Sequence, residues 1–292
     1  MGGGKRMNLK AAVIGGMNFD VVGISESALM MRDSNIGKIR FSAGGVGRNI
    51  AEQLARLGAQ TSLFTGVSDD FAGKMLKDDA GIKNIDLSHA RQSASNASVY
   101  LSIHDPGGDM ALAVNDMSLI SEITPEYLKS VLREIRKADV VVVDANLSPE
   151  SLAFIFENVD CPITADPVSC AKIDRLKPHL MRLSAFKPNA MEAMYLTGAD
   201  NPHLAASMLA KMGVKRVAVS MGNAGCVYAD ENEIGSIIPE KVYSCQANGA
   251  GDAMCAGLTL GAALNESAKE AALRGMRAAA KLLDEREKSE KG

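Results

Sequence analysis

Short runs rich in β-branched residues alternate with segments of helical periodicity along most of this chain. The run Val140–Val143 consists of four valines, which is typical of a strand buried on both faces of a parallel sheet. It follows a segment, 124–137, that opens with Thr124 and Pro125, a helix N-cap and a proline at the first helical position. This alternation predicts an α/β fold in which helices cover both faces of a mostly parallel sheet.

The same pattern assigns the other regular elements. A helix over 46–57 ends at Gly58, a residue type common just after a helix C-terminus. Further strands are predicted at 11–15, 61–66, 163–166, 183–186 and 216–220. Further helices are predicted around Glu192, over 202–212, from the glycine-rich segment 249–251 to about 264, and from 266 to about 286.

Two stretches, about 19–42 and 97–115, contain strand-like runs without an intervening helix. They predict antiparallel ribbons that project from the α/β core. Such a small sheet can act as a lid that excludes water from a reaction, or it can be an ordinary edge hairpin. Both interpretations stay open, and residues 1–292 are expected to form one domain in which these segments are inserted.

Composition excludes several classes of protein. With 47% hydrophobic and 23% charged residues the chain is not expected to be disordered. Its net charge of -3 shows no overall excess of basic residues of the kind that binds nucleic acid. Segment 138–143, the longest strongly apolar run, is far shorter than the ~18 residues of a membrane span. Five cysteines without a CxxC pair indicate neither a disulfide framework nor a zinc site. Residues 1–7 lack the apolar core of a signal peptide, so a cytoplasmic location is expected and residues 1–6 read as a loose tail.

The segment Gly249-Ala250-Gly251-Asp252 stands at the predicted start of a helix. Its uncovered backbone N–H groups and the positive end of the helix dipole favour an anion there. A carboxylate in the first turn repels phosphate, but it suits a general base that takes a proton from an attacking hydroxyl. The alternative is that Asp252 only stabilises the helix start and the glycines only form a tight turn.

A second glycine-rich segment, Gly44-Gly45-Val46-Gly47-Arg48-Asn49, also opens a helix. It is neither a Walker A loop nor a dinucleotide fingerprint. Exposed backbone and the Asn49 amide suit a hydroxyl-rich ligand. Asn18 and Asp20 follow the first strand, where open α/β folds bind ligands, and Asp20 could accept hydrogen bonds from a vicinal diol. A capping or turn role is the alternative for each.

Two further clusters carry polar residues or glycines at predicted helix starts and strand ends. Asn189 and Glu192 match a common helix start, and near a triphosphate they could also organise hydrated Mg²⁺. Ser220, Gly222 and Gly225 form a strand end and a glycine turn that could line a nucleotide pocket. The four histidines show no metal-ligand spacing.

In order and spacing, the motifs Gly44–Asn49, Lys187–Glu192 and Gly249–Asp252 resemble those of the ribokinase-like (PfkB-type) carbohydrate kinases. The resemblance covers nearly the whole chain. It implies a three-layer α/β/α fold with a β-sheet lid, ATP as the phosphoryl donor, and Mg²⁺. It also implies a small-molecule acceptor, with transfer to the 5′-hydroxyl of a ribosyl group in the subgroup that the chain resembles most.

The resemblance also implies roles for individual residues. Asp252 is the expected catalytic base, and Glu192 is expected at the metal through water. The remaining implied sites are the anion hole (Gly249, Ala250, Gly251), the substrate site (Asn18, Asp20, Gly44, Gly45, Asn49, Asn115, Asn146) and the nucleotide site (Asn189, Ser220, Gly222, Gly225).

The chain departs from the family pattern just before the anion hole. The family usually has Asp-Thr-x there, residues that often help to bind a monovalent cation, and this chain has Gln246-Ala247-Asn248. The departure makes activation by a monovalent cation doubtful. A homodimer through the lid strands, another nucleoside or free sugar as acceptor, and a catalytically silent binding protein remain open.

Overall fold

The computed structural model describes residues 9–244 and 247–291. In chain order its strands are β1 (Lys10–Ile14), β2 (Asn18–Ser25), β3 (Gly37–Gly44), β4 (Gln60–Phe64), β5 (Gly66–Val67), β6 (Ile85–Asp86), β7 (Arg91–Gln92), β8 (Val99–His104), β9 (Met110–Asp116), β10 (Val140–Asp144), β11 (Ile163–Asp166), β12 (Leu183–Phe186), β13 (Val217–Ser220), β14 (Cys226–Ala229) and β15 (Ile234–Ile237). Its α-helices are α1 (Val46–Arg56), α2 (Phe71–Ile82), α3 (Pro125–Ile135), α4 (Pro149–Asn158), α5 (Cys170–Ile173), α6 (Ala190–Thr197), α7 (Pro202–Lys211), α8 (Ala250–Ala263) and α9 (Ala268–Lys291).

The central sheet has the strand order β15-β14-β13-β12-β11-β10-β1-β4-β6. Neighbouring strands from β13 to β6 in this order run parallel, whereas β14 and β15 are added antiparallel at one edge. The α/β prediction is confirmed. The antiparallel edge was missed because β14 and β15 are four residues each, too short to show a clear period.

The sheet is buried on both faces. Val13 in β1 pairs with Val142 in β10 and Leu63 in β4, and all three side chains are 0% or 1% exposed. Residues of α3, α4, α6 and α7 form the core on one face, and residues of α1, α8 and α9 form it on the other. The valine run therefore lies at the centre of a sheet between two helical layers, as its composition requires.

A second, separate sheet contains four strands in the order β3-β2-β8-β9. The two predicted ribbons are present as the antiparallel pairs β2–β3 and β8–β9, and parallel pairing of β2 with β8 joins them. The joining pair could not be read from the sequence, because β2 and β8 are far apart along the chain. We call this four-stranded sheet the lid sheet.

Side-chain capping fixes several helix starts. Thr124 accepts a hydrogen bond from the Tyr127 N–H at the start of α3, as its position before Pro125 predicts. Asp70 and Ser148 cap α2 and α4 in the same way, although the sequence analysis assigned neither helix. Among the helices of the described residues, none is both long and apolar enough to cross a membrane.

Candidate active site

Charged side chains gather where the central parallel strands end. Asp144 is the last residue of β10, Asp166 is the last residue of β11, and Lys187 directly follows β12. The carboxyl ends of parallel strands form one edge of the sheet, which is where open α/β folds bind ligands. All three side chains are buried. The sequence analysis gave none of them a role, because each lies at the end of an apolar run and resembles a strand terminator.

The amino end of α8 points into this edge. Its N-cap, Gly249, has the left-handed backbone conformation (φ 74°), and no side chain among the described residues caps it. The N–H of Ala250 donates to the Ala247 carbonyl at 3.0 Å. The N–H groups of Gly251 and Asp252 have no intrahelical acceptor at this position, so they are directed beyond the helix end. The helix start is therefore suited to an anion.

The Lys187 ammonium lies beside the same helix start. A Cβ atom added to Gly251 would be 3.2 Å from Lys187 Nζ. Burial lowers the pKa of Lys187, but the carboxylate of Asp166 outweighs that effect and raises the pKa overall. Lys187 is therefore a fixed positive charge next to uncapped N–H groups, which strengthens the case for an anion site.

Asp252 lies half-buried in the first turn of α8, and its Oδ2 accepts a hydrogen bond from Asn49 Nδ2 at 2.9 Å. Burial raises the pKa of Asp252 to about 6, helped by Asp166 and opposed by Lys187 and by the Asn49 hydrogen bond. A carboxylate with a pKa this close to neutrality is ionised at pH 7 and is still a useful proton acceptor.

Close packing of α1 against the loop after β1 brings Asn49 to this position. Gly45 has φ 99°, and a Cβ atom there would lie 2.5 Å from the Gly16 carbonyl oxygen. A Cβ atom on Gly47 would be 2.8 Å from the Gly15 carbonyl carbon. The glycines of the second motif are thus needed for the helix to approach β1, and no side chain could replace them without displacing α1.

A pocket of about 560 Å³ lies between the lid sheet and the carboxyl edge of the central sheet. It brings together most of the predicted substrate-binding residues: Asn18, Asp20, Gly45, Asn49, Asn115 and Asn146. Gly44 is next to the pocket, since a Cβ atom there would be 2.2 Å from Asp20 Oδ2. The pocket is also lined by Tyr100, Lys172 and Arg175, which the sequence analysis did not identify.

The Asp20 carboxylate is suited to accept hydrogen bonds from hydroxyl groups. Burial raises its pKa, while a hydrogen bond from Asn18 and the positive charge of Arg48 oppose the rise. On the lid sheet Asp20 pairs with Tyr100, and Tyr100 pairs with Asn115, so the three residues lie side by side on the face towards the pocket.

Asn146 lies at the other side of the pocket, with its backbone and side chain both held. Asp144 Oδ1 accepts from the Asn146 N–H at 2.9 Å, and Asp144 Oδ2 accepts from the Gly16 N–H at 2.8 Å. Asn146 Oδ1 accepts from Lys172 Nζ at 2.6 Å. The Asn146 side chain also donates to the Asp144 carboxylate, and because an amide NH₂ group has two donors, one of them remains for a ligand.

Lys172 and Arg175 come from the segment that follows β11. Arg175 donates from one guanidinium nitrogen to the carbonyls of Ala145, Asn146 and Leu147, each at 3.1 Å, and so fixes the loop after β10. The only sequence signal for these two residues is their place just beyond a buried strand end, Asp166, in a parallel sheet.

Asn189 and Glu192 form a capping box. Asn189 Oδ1 accepts from the Glu192 N–H at 2.9 Å, and Glu192 Oε2 accepts from the Asn189 N–H at 2.8 Å. Burial raises the pKa of Glu192. The helix-start interpretation thus holds in the structure, and it leaves Glu192 Oε1 for a water molecule of a hydrated ion.

The residues predicted for the nucleotide lie at the next strand. Ser220 ends β13 and pairs with Asn189 through an isolated parallel bridge. Gly222 faces open space, whereas a Cβ atom on Gly225 (φ 95°) would be 2.1 Å from the Ile237 carbonyl oxygen. Gly225 is therefore required by the turn between β13 and β14. Gln246, part of the segment that departs from the family pattern, lies outside the described residues.

Within residues 9–244 and 247–291 no three acidic, histidine or cysteine side chains are grouped so as to hold a metal ion. Mg²⁺ commonly keeps several waters and takes only one or two carboxylates together with substrate phosphates. One carboxylate with a remaining oxygen, Glu192, interacts with Lys187 at the anion-binding helix start and fits that mode of binding. A larger cleft of about 870 Å³ at the amino ends of β1 and β4 contains none of the predicted site residues.

Residues 8–290 match the family model described as pfkB family carbohydrate kinase. The chain belongs to this family. It is 39% identical over 254 residues to a pseudouridine kinase of Escherichia coli strain K12. The aligned residues cover 84% of this chain and 81% of the relative.

Solved structures agree with the fold of this pfkB kinase. A carbohydrate kinase from Agrobacterium tumefaciens superposes with a TM-score of 0.82 at 28% identity, covering 93% of this chain and 90% of the other. An Arabidopsis thaliana ribokinase complexed with ribose and ATP superposes with a TM-score of 0.78 at 20% identity, covering 94% and 92%. The fold is ribokinase-like, with a large mostly parallel sheet and a small separate one.

Membership of the family establishes the class of reaction. This pfkB kinase is a phosphotransferase that acts on a hydroxyl group of a sugar or nucleoside, a small-molecule substrate. Kinases of the family use ATP with Mg²⁺.

Proposed function

We propose that this kinase transfers the γ-phosphoryl group of ATP to the 5′-hydroxyl of pseudouridine. The observation that carries the proposal is the 2.9 Å hydrogen bond between Asn49 and Asp252, which joins the ligand pocket to the anion-binding start of α8. The 39% identity to a pseudouridine kinase supports the choice of acceptor. Four segments that resemble such kinases add support: Asp33–Lys38, Gly44–Ala51, Ala113–Met117 and Asp166–Ser169.

In this proposal Asp252 is the general base. Its carboxylate takes the proton of the 5′-hydroxyl while the oxygen forms a bond to the γ-phosphorus and the bond to the bridging oxygen breaks, releasing ADP. Bound ATP supplies the phosphoryl group, and Mg²⁺ neutralises part of its charge. The loop Gly249–Gly251 and the Lys187 ammonium stabilise negative charge on the transferred group.

The ribose lies against the lid sheet and the start of α1. Asp20 accepts from two sugar hydroxyls, and the Asn18 and Asn49 amides complete the contacts. Gly44 and Gly45 leave the space for this approach, because a side chain at Gly44 would overlap the Asp20 carboxylate.

The base is recognised by Asn115, Asn146 and Lys172. A uracil ring presents carbonyl oxygens and N–H groups, and the Lys172 ammonium with the Asn146 Nδ2 group complements its carbonyls. Uridine and pseudouridine differ in how the same ring is attached, so they present different edges to these fixed groups. Mismatched buried polar groups go unsatisfied, which gives strong discrimination.

The nucleotide is placed at the ends of β12 and β13. Asn189, Ser220, Gly222 and Gly225 line its site, and Glu192 orients the waters of the metal. Two contacts support this placement. Asn189 pairs with Ser220 through an isolated bridge, and Lys187, two residues before Asn189, lies beside Gly251 at the start of α8.

The test is ADP release from ATP and Mg²⁺ with pseudouridine, uridine, other nucleosides, ribose and fructose, each with and without potassium. Turnover with pseudouridine well above uridine supports the proposal. A different preferred acceptor keeps the kinase and rejects the acceptor assignment. Absence of turnover with every acceptor favours a catalytically silent binding protein and makes the segment 246–248 the first suspect.

We also propose that the lid sheet forms a homodimer. Its face away from the pocket carries Ile39 and Phe41 on β3, Leu101 on β8, and Leu112 and Val114 on β9, each 39–66% exposed. The register places Phe41, Val21, Leu101 and Val114 in one row across the sheet. A contiguous apolar face of this kind on a water-facing sheet marks an interaction surface.

A further inference from the structure

Arg48 is a buried charge in the second glycine-rich segment, and it takes no part in the proposed chemistry. Its side chain is 6% exposed and lies in the first turn of α1, immediately before Asn49. A buried guanidinium is costly unless its donors are paired. The partners of Arg48 therefore indicate what it is there to hold.

Two carboxylates from different helices clamp the guanidinium. One of its terminal nitrogens lies 2.7 Å from Glu52 on the next turn of α1, and the other donates to Asp79 on α2. Burial raises the pKa of Glu52, but Arg48 and Lys83 together outweigh it and lower the pKa overall. Glu52 thus remains charged beside the guanidinium, and Asp79 holds the guanidinium from the other helix.

The clamped guanidinium also donates to Asn49 Oδ1 at 3.1 Å. On the other side of the same amide, Asn49 Nδ2 donates to Asp252 Oδ2. The two ends of an asparagine amide differ, since the oxygen only accepts and the nitrogen only donates. The reversed amide would place two donors together at Arg48 and two acceptors together at Asp252.

We propose that Arg48 is a positioning residue that fixes the orientation of the Asn49 amide, so that Nδ2 always faces Asp252 and the hydroxyl to be phosphorylated. Glu52 and Asp79 make this orientation independent of the bound ligand. The inference rests on the proposed function in taking Asp252 as the base. Through Asp79 it also makes α2, which contributes no residue to the pocket, a support of the catalytic site.

Removal of the correctly oriented amide has a measurable effect on Asp252. Among the described residues, the other titratable or charged groups near Asp252 are Asp144 on β10, Asp166 on β11, Lys187 after β12, Cys255 on its own helix and, beside Gly249, Arg286 on α9. None of these contacts involves Arg48, so a change at Arg48 reaches Asp252 through Asn49. Because the Asn49 hydrogen bond favours the charged carboxylate, its loss moves the titration of Asp252 to higher pH.

The experiment measures that titration directly, without an acceptor substrate. Protein labelled with ¹³C at aspartate carboxyls is titrated by NMR, and the Asp252 signal is assigned by its absence in Asp252→Asn. Arg48→Lys keeps the charge but removes the planar fork whose two nitrogens bridge Asp79 and Asn49. We expect its Asp252 signal to titrate at higher pH than in the wild type. With the preferred acceptor we expect kcat to fall about 10- to 100-fold with little change in KM for ATP.

Two further variants separate positioning from general damage. Asn49→Ala should produce the same upward movement, and Arg48→Lys combined with it should add nothing further. Arg274→Lys is the matched control: it makes the same substitution at an arginine whose guanidinium pairs with Glu266 and does not line the pocket, so the Asp252 titration should stay as in the wild type.

The outcomes distinguish the inference from the proposed function. A folded Arg48→Lys variant with wild-type Asp252 titration and wild-type kcat overturns the positioning role, whichever acceptor is used. If Arg48→Lys does not fold, Arg48→Met/Asp79→Asn removes the guanidinium and one partner together and is read in the same way. Failure of pseudouridine in the acceptor panel rejects the acceptor assignment and leaves the NMR result intact.

Discussion

The ammonium of Lys187 lies 3.0 Å from the carboxylate of Asp166, and both side chains are nearly inaccessible to solvent beneath the start of α8. With the half-buried Asp252 they form a cluster in which one cation interacts with two acids. The cluster places a permanent positive charge at the point where the helix start also attracts an anion. Removal of that charge should therefore affect both stability and function.

We expect Lys187→Met to destabilise the fold by about 3–5 kcal/mol, because Asp166 is then buried without its cation. Urea unfolding at pH 7 measures the loss. The double variant Lys187→Met/Asp166→Asn removes the uncompensated charge and should recover part of the stability. A single variant as stable as the wild type would contradict the assignment of a buried ion pair.

Asp252→Asn should lower kcat by about 10²- to 10⁴-fold, the range typical for loss of a general base. The amide has nearly the shape of the carboxylate, so the fold and ATP binding should be retained, as calorimetry can check. Asp69→Asn is the matched control, since Asp69 is an exposed acid that pairs with Lys77 at the surface, away from the pocket. Equal turnover in the two variants would reject Asp252 as the base.

The pH dependence should report Asp252. Because burial raises its pKa to about 6, Asp252 becomes protonated as the pH falls through that value and can no longer accept a proton. We expect kcat/KM to decline on the acid side with an apparent pKa near 6. A flat profile down to pH 5 would argue against a base with this environment.

The raised pKa of Asp252 also makes the stability of the fold depend on pH. The folded state holds the Asp252 proton more tightly than the unfolded state, in which the pKa has its ordinary value of 3.8, so the stability that this proton contributes is fully present below pH 3.8 and is lost as the pH rises to about 6. Asp252→Asn should therefore be more stable than the wild type at pH 8, and the difference should become small below pH 3.8. Thermal unfolding at the two pH values checks the sign.

Much of the fold could be predicted because buried elements have recognisable patterns of apolar residues in the sequence. The central strands are continuous apolar runs, and helices such as α3 begin at a capping residue followed by proline. Pairing between strands that are far apart along the chain produces no such pattern. The parallel contact of β2 with β8, which unites the two ribbons into the lid sheet, depends on tertiary packing alone.

The candidate site was predictable where backbone geometry demands glycine. Gly45 and Gly249 adopt left-handed conformations, and their motifs placed the starts of α1 and α8 correctly. Charged residues at strand ends were not predictable in the same way. Lys187 and Lys172 acquire their significance only from what other strands bring next to them.

The lid-sheet face gives a prediction about assembly. We expect Leu112→Glu to convert the proposed homodimer into a monomer, because a charge would be buried within its apolar interface. Light scattering after gel filtration measures the mass. Lys38→Glu, on the same sheet but outside the apolar row, is the control and should leave the mass unchanged. A wild-type protein that is already monomeric at high concentration rejects the proposed dimer.

Lys172 should decide how well a base is recognised. Its ammonium fixes Asn146 Oδ1 at 2.6 Å and lies in the pocket wall opposite Asp20. In Lys172→Met the Asn146 amide is free to reverse, and the cation that complements a base carbonyl is lost. We expect KM for pseudouridine to rise about 10- to 100-fold, with a smaller change for ribose, since the ribose contacts do not involve Lys172.

Steady-state kinetics with both acceptors provides the measurement. Lys177→Met is the matched control, because Lys177 lies exposed on the same segment and does not line the pocket. If Lys172→Met weakens pseudouridine and ribose equally, the residue supports the pocket as a whole. If neither acceptor is affected, the base lies elsewhere, and the exposed Asn115 on β9 becomes the next side chain to substitute.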